Sequence, residues 1–177
     1  MNDGVHISDE EPGQEAAIRA VIGDAFGRSE EARLIDELRA DGVLAMSLVA
    51  LEAGVLRGHV AMSRMRSPPR ALGLGPLSVR SPDQRRGIGT RLVQEAITRA
   101  RRRHYDIVFV LGYPDYYTRL GFSCAAATGF ISRYAGPHFM ALQLSSPPVA
   151  PCPAVYADAL EFWSEPSTPR NSKGTAQ

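Results

Sequence analysis

The chain has 177 residues, of which 44% are apolar and 22% are charged, and this composition is typical of one compact globular domain with its own core. The formal net charge of +1 is too small for the broad positive field that nucleic acids or anionic membranes attract, so we expect neither partner. The two cysteines, Cys124 and Cys152, form no CxxC motif and no Cys/His cluster, so we expect no disulfide framework and no metal.

We expect no secretory signal, because residues 1–6 lack a basic start followed by an apolar run. No stretch reaches the roughly 18 uninterrupted apolar residues that a membrane-spanning helix requires. We therefore expect a cytoplasmic protein.

The N-terminal half predicts a strand, two helices and a series of three strands. Residues 5–8 are strand-like, and apolar residues then recur at helical spacing in 12–26 and again between Ser29, a suitable N-cap, and Gly42. A short Glu-Ala-Gly turn between the next two apolar runs predicts a hairpin. The three strands of this series span residues 45–51, 55–65 and 72–79.

The C-terminal half predicts a change from hairpins to a strand–helix–strand unit. Residues 88–102 place apolar side chains on one helical face and charged ones on the other, and 107–111 is a continuous apolar run typical of a strand covered on both faces. Together with strand 72–79, these elements predict a right-handed βαβ unit. Beyond it we expect a short helix at 114–120 and strands at 122–124 and 139–144.

All of these elements belong to one predicted domain, residues 1–146, without internal repeats. Residues 147–177 are rich in Pro, Ser and Thr, so we expect an irregular, partly disordered extension. Within it we predict one short helix at 155–163 and a disordered end after Glu165.

The most informative segment is the turn between strand 72–79 and the following helix. It delivers Gly87 and Gly89 to a helix start, where unpaired backbone N–H groups and a partial positive charge stabilise an anion. Arg85 and Arg86 add cationic donors. The alternative is that the glycines only shape a tight turn; the segment matches neither a GxGxxG motif, because position 92 is Leu, nor a nucleotide P-loop.

This segment resembles the coenzyme-binding signature Q/R-x-x-G-x-G/A of the GNAT superfamily of N-acetyltransferases, with Gln84, Gly87 and Gly89 at the defining positions. Residues 74–79 and 111–122 are similar to the YhbS-like subgroup, and the order of elements matches the family over about residues 5–145. The resemblance implies an α/β fold of the α+β type with a mixed sheet. Mostly antiparallel N-terminal strands would precede a βαβ unit with splayed strands, and helices would cover both faces.

The resemblance also implies acetyl-CoA as co-substrate and a set of residues that bind it. Backbone groups of Leu77 and Val79 would pair with the pantetheine arm between the splayed strands, and N–H groups from Arg85 to Thr90 would hold the pyrophosphate. The full set of expected coenzyme-binding residues is Leu77, Ser78, Val79, Gln84, Arg85, Arg86, Gly87, Ile88, Gly89, Thr90, Tyr113 and Tyr117.

Acetyl transfer to an amine needs a proton for the departing thiolate and stabilisation of an oxyanion. Residues 117–122 resemble the Y-x-x-x-G-F pattern of the family, which implies that Tyr117 is the general acid. The alternative is that Tyr117 is only a core residue, and Tyr116 is the neighbour that we expect to pack. For the oxyanion, the resemblance suggests a backbone N–H of a bulged strand near Val79.

The general base is not evident, because many relatives place a glutamate on the fourth strand and residues 71–77 here contain no carboxylate. The candidates are Glu31, Glu52, His59 and Asp115, or a chain of waters, and a solvated or structural role is the favoured interpretation of each side chain. We expect surface or core positions for His6, His104 and His138, a solvated helix end for the arginines in 99–103, and no acetyl relay through Cys124.

These observations predict an N-acetyltransferase that moves an acetyl group from acetyl-CoA directly to an amine, with a small molecule slightly favoured over a protein as acceptor. Relatives suggest a homodimer. Two alternatives stay open: a catalytically weak acyl-CoA-binding regulatory module, favoured by the missing carboxylate, and an enzyme that uses a longer acyl-CoA.

Overall fold

The structure is a computed structural model that describes residues 4–161. The strands are β1 His6–Asp9, β2 Leu44–Glu52, β3 Val55–Arg64, β4 Ala71–Val79, β5 Ile107–Leu111 and β6 Phe139–Gln143. The helices are α1 Glu15–Phe26, α2 Glu30–Ala40, α3 Ile88–Arg102, α4 Pro114–Tyr117, α5 Cys124–Ala127 and α6 Asp158–Glu161, with 3₁₀ turns at Ser81–Asp83 and Thr118–Leu120.

The strands form one six-stranded sheet in the order β1-β2-β3-β4-β5-β6. All neighbours are antiparallel except β4 and β5, which are parallel and are joined through α3. The sheet is covered on both faces, because alternate residues of β2 belong to different cores: Leu48 packs with α3, whereas Val49 packs with α1 and α2. The predicted mixed sheet with helices on both faces is therefore confirmed.

Helix α3 begins where the spacing of apolar residues changes from every second residue, as in a strand, to every third or fourth residue, as in a helix. Its apolar stripe is buried against the sheet, and its arginines form the opposite face and the last turn. The buried residues of α3 are Ile88, Leu92, Val93, Ala96, Ile97 and Ala100.

The strand predicted at 122–124 is wrong. Ser123 makes a single bridge with Ala141, and a short helix, α5, begins at Cys124. The reason is local: the Ser123 hydroxyl accepts a hydrogen bond from the Ala126 N–H at 3.0 Å, so Ser123 caps the helix.

The described part of the predicted C-terminal extension packs on the domain. Val155 bridges to Ser67, and the side chains of Ala154, Tyr156 and Ala157 are buried. The predicted helix at 155–163 is observed as Asp158–Glu161. Trp163 and the end after Glu165 lie outside the described residues.

Candidate active site

The parallel strands β4 and β5 diverge halfway along β4. Their ladder runs from Ala71–Ile107 to Leu74–Val110 and ends there. One β3 residue, Ala61, then lies opposite two β4 residues, Gly75 and Pro76, which is a β-bulge. We expected the bulge near Val79, and the structure places it earlier in the strand.

The last residues of β4 offer backbone groups to the gap that this divergence opens. Arg80 donates its backbone N–H to the Arg57 carbonyl at 2.9 Å. Because successive residues of a strand direct their backbone N–H and C=O groups to opposite sides, those of Ser78 also face β3, whereas those of Leu77 and Val79 face away from β3. The Val79 carbonyl accepts a hydrogen bond from Gln84 Nε2 at 3.1 Å. The Gln84 side chain thus connects the turn before α3 to the end of β4.

The turn delivers the first residues of α3 to the same gap. Gly87 is the N-cap residue in the left-handed conformation, with φ of 81°, and a Cβ there would have no atom within 4 Å. Arg85 is also left-handed, with φ of 61°. A Cβ on Gly89 would lie 3.1 Å from Tyr116 Oη, so only glycine leaves this position uncrowded. The result is an open helix start without side chains that would hold an anion away.

The two arginines of the turn have different surroundings. Arg86 forms ion pairs with Glu52 and Asp83, at 2.5 and 2.6 Å, and its pKa is raised by its hydrogen bonds to these carboxylates. Arg85 is exposed and forms no ion pair with any described residue. Arg85 is therefore the better placed of the two predicted cationic donors.

Tyr117 lies beside the gap, on the face of the sheet that α3 covers. Its side chain is 3% exposed and belongs to the core cluster that contains Leu74 and Leu77. A Cβ on Gly112 would lie 2.3 Å from Tyr117 Cε2, so the ring packs directly against Gly112, which follows β5, and leaves no room for a side chain there. Burial raises the pKa of the Tyr117 phenol, which keeps it protonated at neutral pH.

Tyr116 does more than pack. Its ring is perpendicular to that of Tyr117, with centroids 4.9 Å apart, and its hydroxyl lies against Gly89 in the first turn of α3. Burial raises the pKa of this phenol as well.

The candidate bases are in unfavourable surroundings. Glu31 is buried in an ion pair with Arg28 at 2.7 Å. Glu52 pairs with Arg86, whose hydrogen bond lowers the Glu52 pKa. Asp115 is exposed in the first turn of α4.

His59 is fully buried at the inner end of a polar chain. Its Nε2 lies 2.8 Å from Ser47 Oγ, and the Ser47 hydroxyl donates a hydrogen bond to the Glu10 carboxylate, which Arg39 also binds at 2.7 Å. A carboxylate can only accept, so the serine proton points to Glu10 and His59 donates its Nε2–H to Ser47. Nδ1 is then a bare acceptor without a hydrogen-bond partner among the described residues.

Burial, with a smaller contribution from the Arg39 charge, lowers the pKa of His59 to about 3. Because an unfolded histidine has a pKa of about 6.5, the unfolded chain takes up a proton below this pH and the folded chain does not. We therefore predict that the contribution of His59 to stability is complete above pH 6.5 and falls by about 1.4 kcal/mol per pH unit between about pH 6 and pH 4.

Urea unfolding of the wild type and His59→Gln at several pH values measures this slope. Glutamine can donate to Ser47 but takes up no proton, so the free energy of unfolding of the variant should depend less steeply on pH. Equal slopes for the two proteins would contradict the assignment of a neutral buried imidazole.

His138 lies beside the candidate site, although its neighbours in sequence do not indicate this. It immediately precedes β6, whose first residue Phe139 pairs with Leu111 at the end of β5. The Gly112 N–H donates to the His138 carbonyl at 3.0 Å, and the imidazole lies perpendicular to the Tyr113 ring, with centroids 5.6 Å apart. Only the pairing of β6 with β5 reveals this position.

The described part of the chain contains neither a metal-binding cluster nor a membrane-spanning helix. Between residues 4 and 161, no group of three or more His, Cys, Asp or Glu side chains could hold a metal ion. No helix in this range is both long enough and apolar enough to cross a bilayer.

Known proteins are similar to this chain in sequence and in fold. The model of the Acetyltransferase (GNAT) family matches residues 15–122. The uncharacterized N-acetyltransferase YjhQ of Escherichia coli is 37% identical over 141 residues, which are 75% of this chain and 76% of YjhQ.

Two solved structures are similar over most of the chain. The structure of the E. coli N-acetyltransferase YhbS in complex with CoA matches this chain with a TM-score of 0.83 and 27% sequence identity. The match includes 92% of this chain and 95% of the YhbS chain. The structure of a GNAT family acetyltransferase from Brucella melitensis in complex with acetyl-CoA matches with a TM-score of 0.77 and 31% sequence identity. This match includes 89% of this chain and 99% of the Brucella chain. The chain therefore belongs to the GNAT family of acetyltransferases.

Proposed function

We propose that this acyltransferase moves the acetyl group of acetyl-CoA directly to an amine, with Tyr117 as general acid. The observation that supports this most is the divergence of β4 and β5 beside an open helix start. The two similar structures named above contain CoA and acetyl-CoA. Both features are suited to such a donor. The gap between β4 and β5 offers strand-like backbone groups, and the turn before α3 offers a helix start that can bind an anion.

In this proposal the pantetheine arm pairs with the backbone of Leu77 and Val79 along the outer part of β4. The N–H groups at the start of α3 and the exposed Arg85 bind the pyrophosphate. The wider set of proposed contacts is Leu77, Ser78, Val79, Gln84, Arg85, Arg86, Gly87, Ile88, Gly89, Thr90, Tyr113 and Tyr117.

Arg86 and Ser78 would act indirectly. Arg86 holds the turn to Glu52 and Asp83, and the Ser78 side chain is fully buried with its hydroxyl directed to the His59 carbonyl at 3.5 Å. Their contribution is to fix the turn and the strand whose backbone groups make the contacts.

The thioester supplies an activated acetyl group, and the chain supplies the proton and the orientation. The Tyr117 phenol carries a proton at neutral pH because burial raises its pKa, and it can give this proton to the departing thiolate. A backbone N–H at the outer end of β4, near Val79, would stabilise the oxyanion without a side chain.

The near-neutral net charge of +1 favours a small-molecule acceptor over a protein. We further propose a cytoplasmic homodimer in which residues 1–146 form the catalytic domain and 147–177 an extension. A regulatory acyl-CoA-binding module is the second candidate, because β4 carries no carboxylate. The use of a longer acyl-CoA as donor is a variant of the first candidate, the direct acyl transfer to an amine.

Calorimetric titration of acetyl-, propionyl- and succinyl-CoA into the protein tests the donor. We expect acetyl-CoA to bind with a Kd in the micromolar range, about −7 to −8 kcal/mol, and more tightly than the larger acyl groups. Tight binding without any acetylated product from a broad set of amines would favour the regulatory module. No binding to a folded protein would contradict the proposed function.

A further inference from the structure

The hydrogen bond between His138 and Gly112 determines which imidazole nitrogen carries the proton. His138 Nδ1 lies 3.3 Å from the Gly112 carbonyl oxygen. A carbonyl can only accept, so Nδ1 donates its proton and Nε2 has a free lone pair. No described residue forms a hydrogen bond with this Nε2. His138 is only partly buried, whereas His59 is fully buried.

Gly112 connects His138 to the proposed general acid. The Tyr117 ring packs against one side of this glycine, and the glycine N–H and carbonyl both form hydrogen bonds with His138. The two side chains therefore contact the same residue, at the end of β5 where β4 has turned away. An acid and a base so placed can serve the two proton transfers of one reaction.

Tyr113 adds an aromatic surface next to this histidine. Tyr113 is 49% exposed, and its ring is nearly perpendicular to the imidazole, at 88°, so much of the residue stays open to solvent beside His138. The face of an exposed phenol ring attracts an ammonium group. An amine in its ordinary protonated form would thus be held beside a free imidazole nitrogen.

We propose that His138 is the general base and that Tyr113 holds the acceptor as an ammonium ion; this inference rests on the proposed acetyl transfer. His138 Nε2 takes one proton from the ammonium group, and the nitrogen lone pair forms the bond to the acetyl carbon. The carbon–sulfur bond breaks, and Tyr117 protonates the thiolate. A second proton from the acylated nitrogen replaces the one that Tyr117 gave, and His138 releases its proton to water.

The assignment agrees with the other titratable groups around His138. Tyr113 contacts the ring, and Tyr117 lies across Gly112. The Cys124 thiol donates to the carbonyl of the preceding residue, Pro137, at 3.4 Å. None of these groups is a carboxylate that could take over the role of base.

The test compares nucleophiles that differ in protonation. The probes are cationic primary amines, namely phenethylamine, tyramine, agmatine and spermidine, and hydroxylamine, which is mostly neutral at pH 7 and needs no base to become a nucleophile. We expect His138→Gln to lower kcat/KM for the best amine by about 100- to 1000-fold, with hydroxylamine changed less than about threefold. Imidazole added to His138→Ala should restore part of the lost rate.

The matched control is His6→Gln, an exposed histidine on β1 at the opposite edge of the sheet, and it should behave as the wild type. Tyr113→Leu should raise KM for the amine by about two- to fivefold, the usual range of an exposed cation–π contact. Thermal unfolding and acetyl-CoA affinity should be unchanged in His138→Gln, because glutamine can keep the hydrogen bond to Gly112.

Three results would overturn the inference. One is an equal loss with amine and hydroxylamine, another is no loss with either, and the third is acetylation of hydroxylamine but of none of the cationic amines by the wild type. If acetyl-CoA binds and neither kind of nucleophile is acetylated, the proposed function itself fails and this inference with it.

Discussion

Replacement of Tyr117 by phenylalanine is expected to lower kcat by about 100- to 10,000-fold, the usual contribution of a positioned general acid. The substitution removes only the hydroxyl, and the ring contacts with Gly112, Tyr116 and Phe122 can remain. Acetyl-CoA affinity should therefore stay within about threefold of the wild type, since a hydrogen bond to a neutral group contributes only about 0.5–1.5 kcal/mol. Thiol release with the best amine acceptor measures the rate, and calorimetry measures the affinity.

Tyr116→Phe is the matched comparison, because it removes a neighbouring hydroxyl with the same ring chemistry. This hydroxyl lies against Gly89 rather than beside Gly112. Its removal should slow turnover far less than removal of the Tyr117 hydroxyl. A large loss in Tyr116→Phe together with a small one in Tyr117→Phe would transfer the role of acid to Tyr116.

Replacement of Gly89 by tryptophan is expected to weaken acetyl-CoA binding by at least about 100-fold, or 2.7 kcal/mol. The indole would fill the space in front of the first turn of α3, where several charge-assisted hydrogen bonds of about 1.5–3 kcal/mol each would hold the pyrophosphate. Gly89 is a better choice than Gly87, whose φ of 81° would strain any other residue and destabilise the turn.

The control for Gly89→Trp is Gln94→Trp, which places the same side chain at an exposed position of the same helix. It should bind acetyl-CoA as the wild type does. Thermal unfolding of both variants shows whether they are folded. A folded Gly89→Trp protein with unchanged affinity would mean that the helix start does not bind the donor.

The surroundings of His59 and His138 illustrate how position changes the chemistry of one residue type. His59 and His138 each bind one polar atom through one nitrogen. Full burial holds His59 neutral well below pH 6 and removes it from contact with solvent. His138 is only partly buried and contacts the same glycine as the proposed acid, and this difference in position makes His138 the proposed base.

The sequence by itself determined the secondary structure of the binding turn and most of the sheet. The turn and α3 are local features, because glycine at a left-handed N-cap and an apolar stripe of helical period act within a few residues. The alternation in β2 and β3 and the apolar run of β5 predicted strands for the same reason. Where local signals compete, the prediction failed, as at Ser123, whose hydroxyl caps a helix in place of a strand.

Only the tertiary structure decided which polar residues meet. Ser47 and Glu10 are 37 residues apart, and His138 is 26 residues from Gly112, so no local period connects either pair. Such contacts arise from strand order and register, which depend on how the two faces of the whole sheet are buried. The position of the bulge at Gly75 and Pro76 and the position of His138 beside Gly112 follow from register, and for this reason the sequence indicated a candidate donor site but no candidate base at His138.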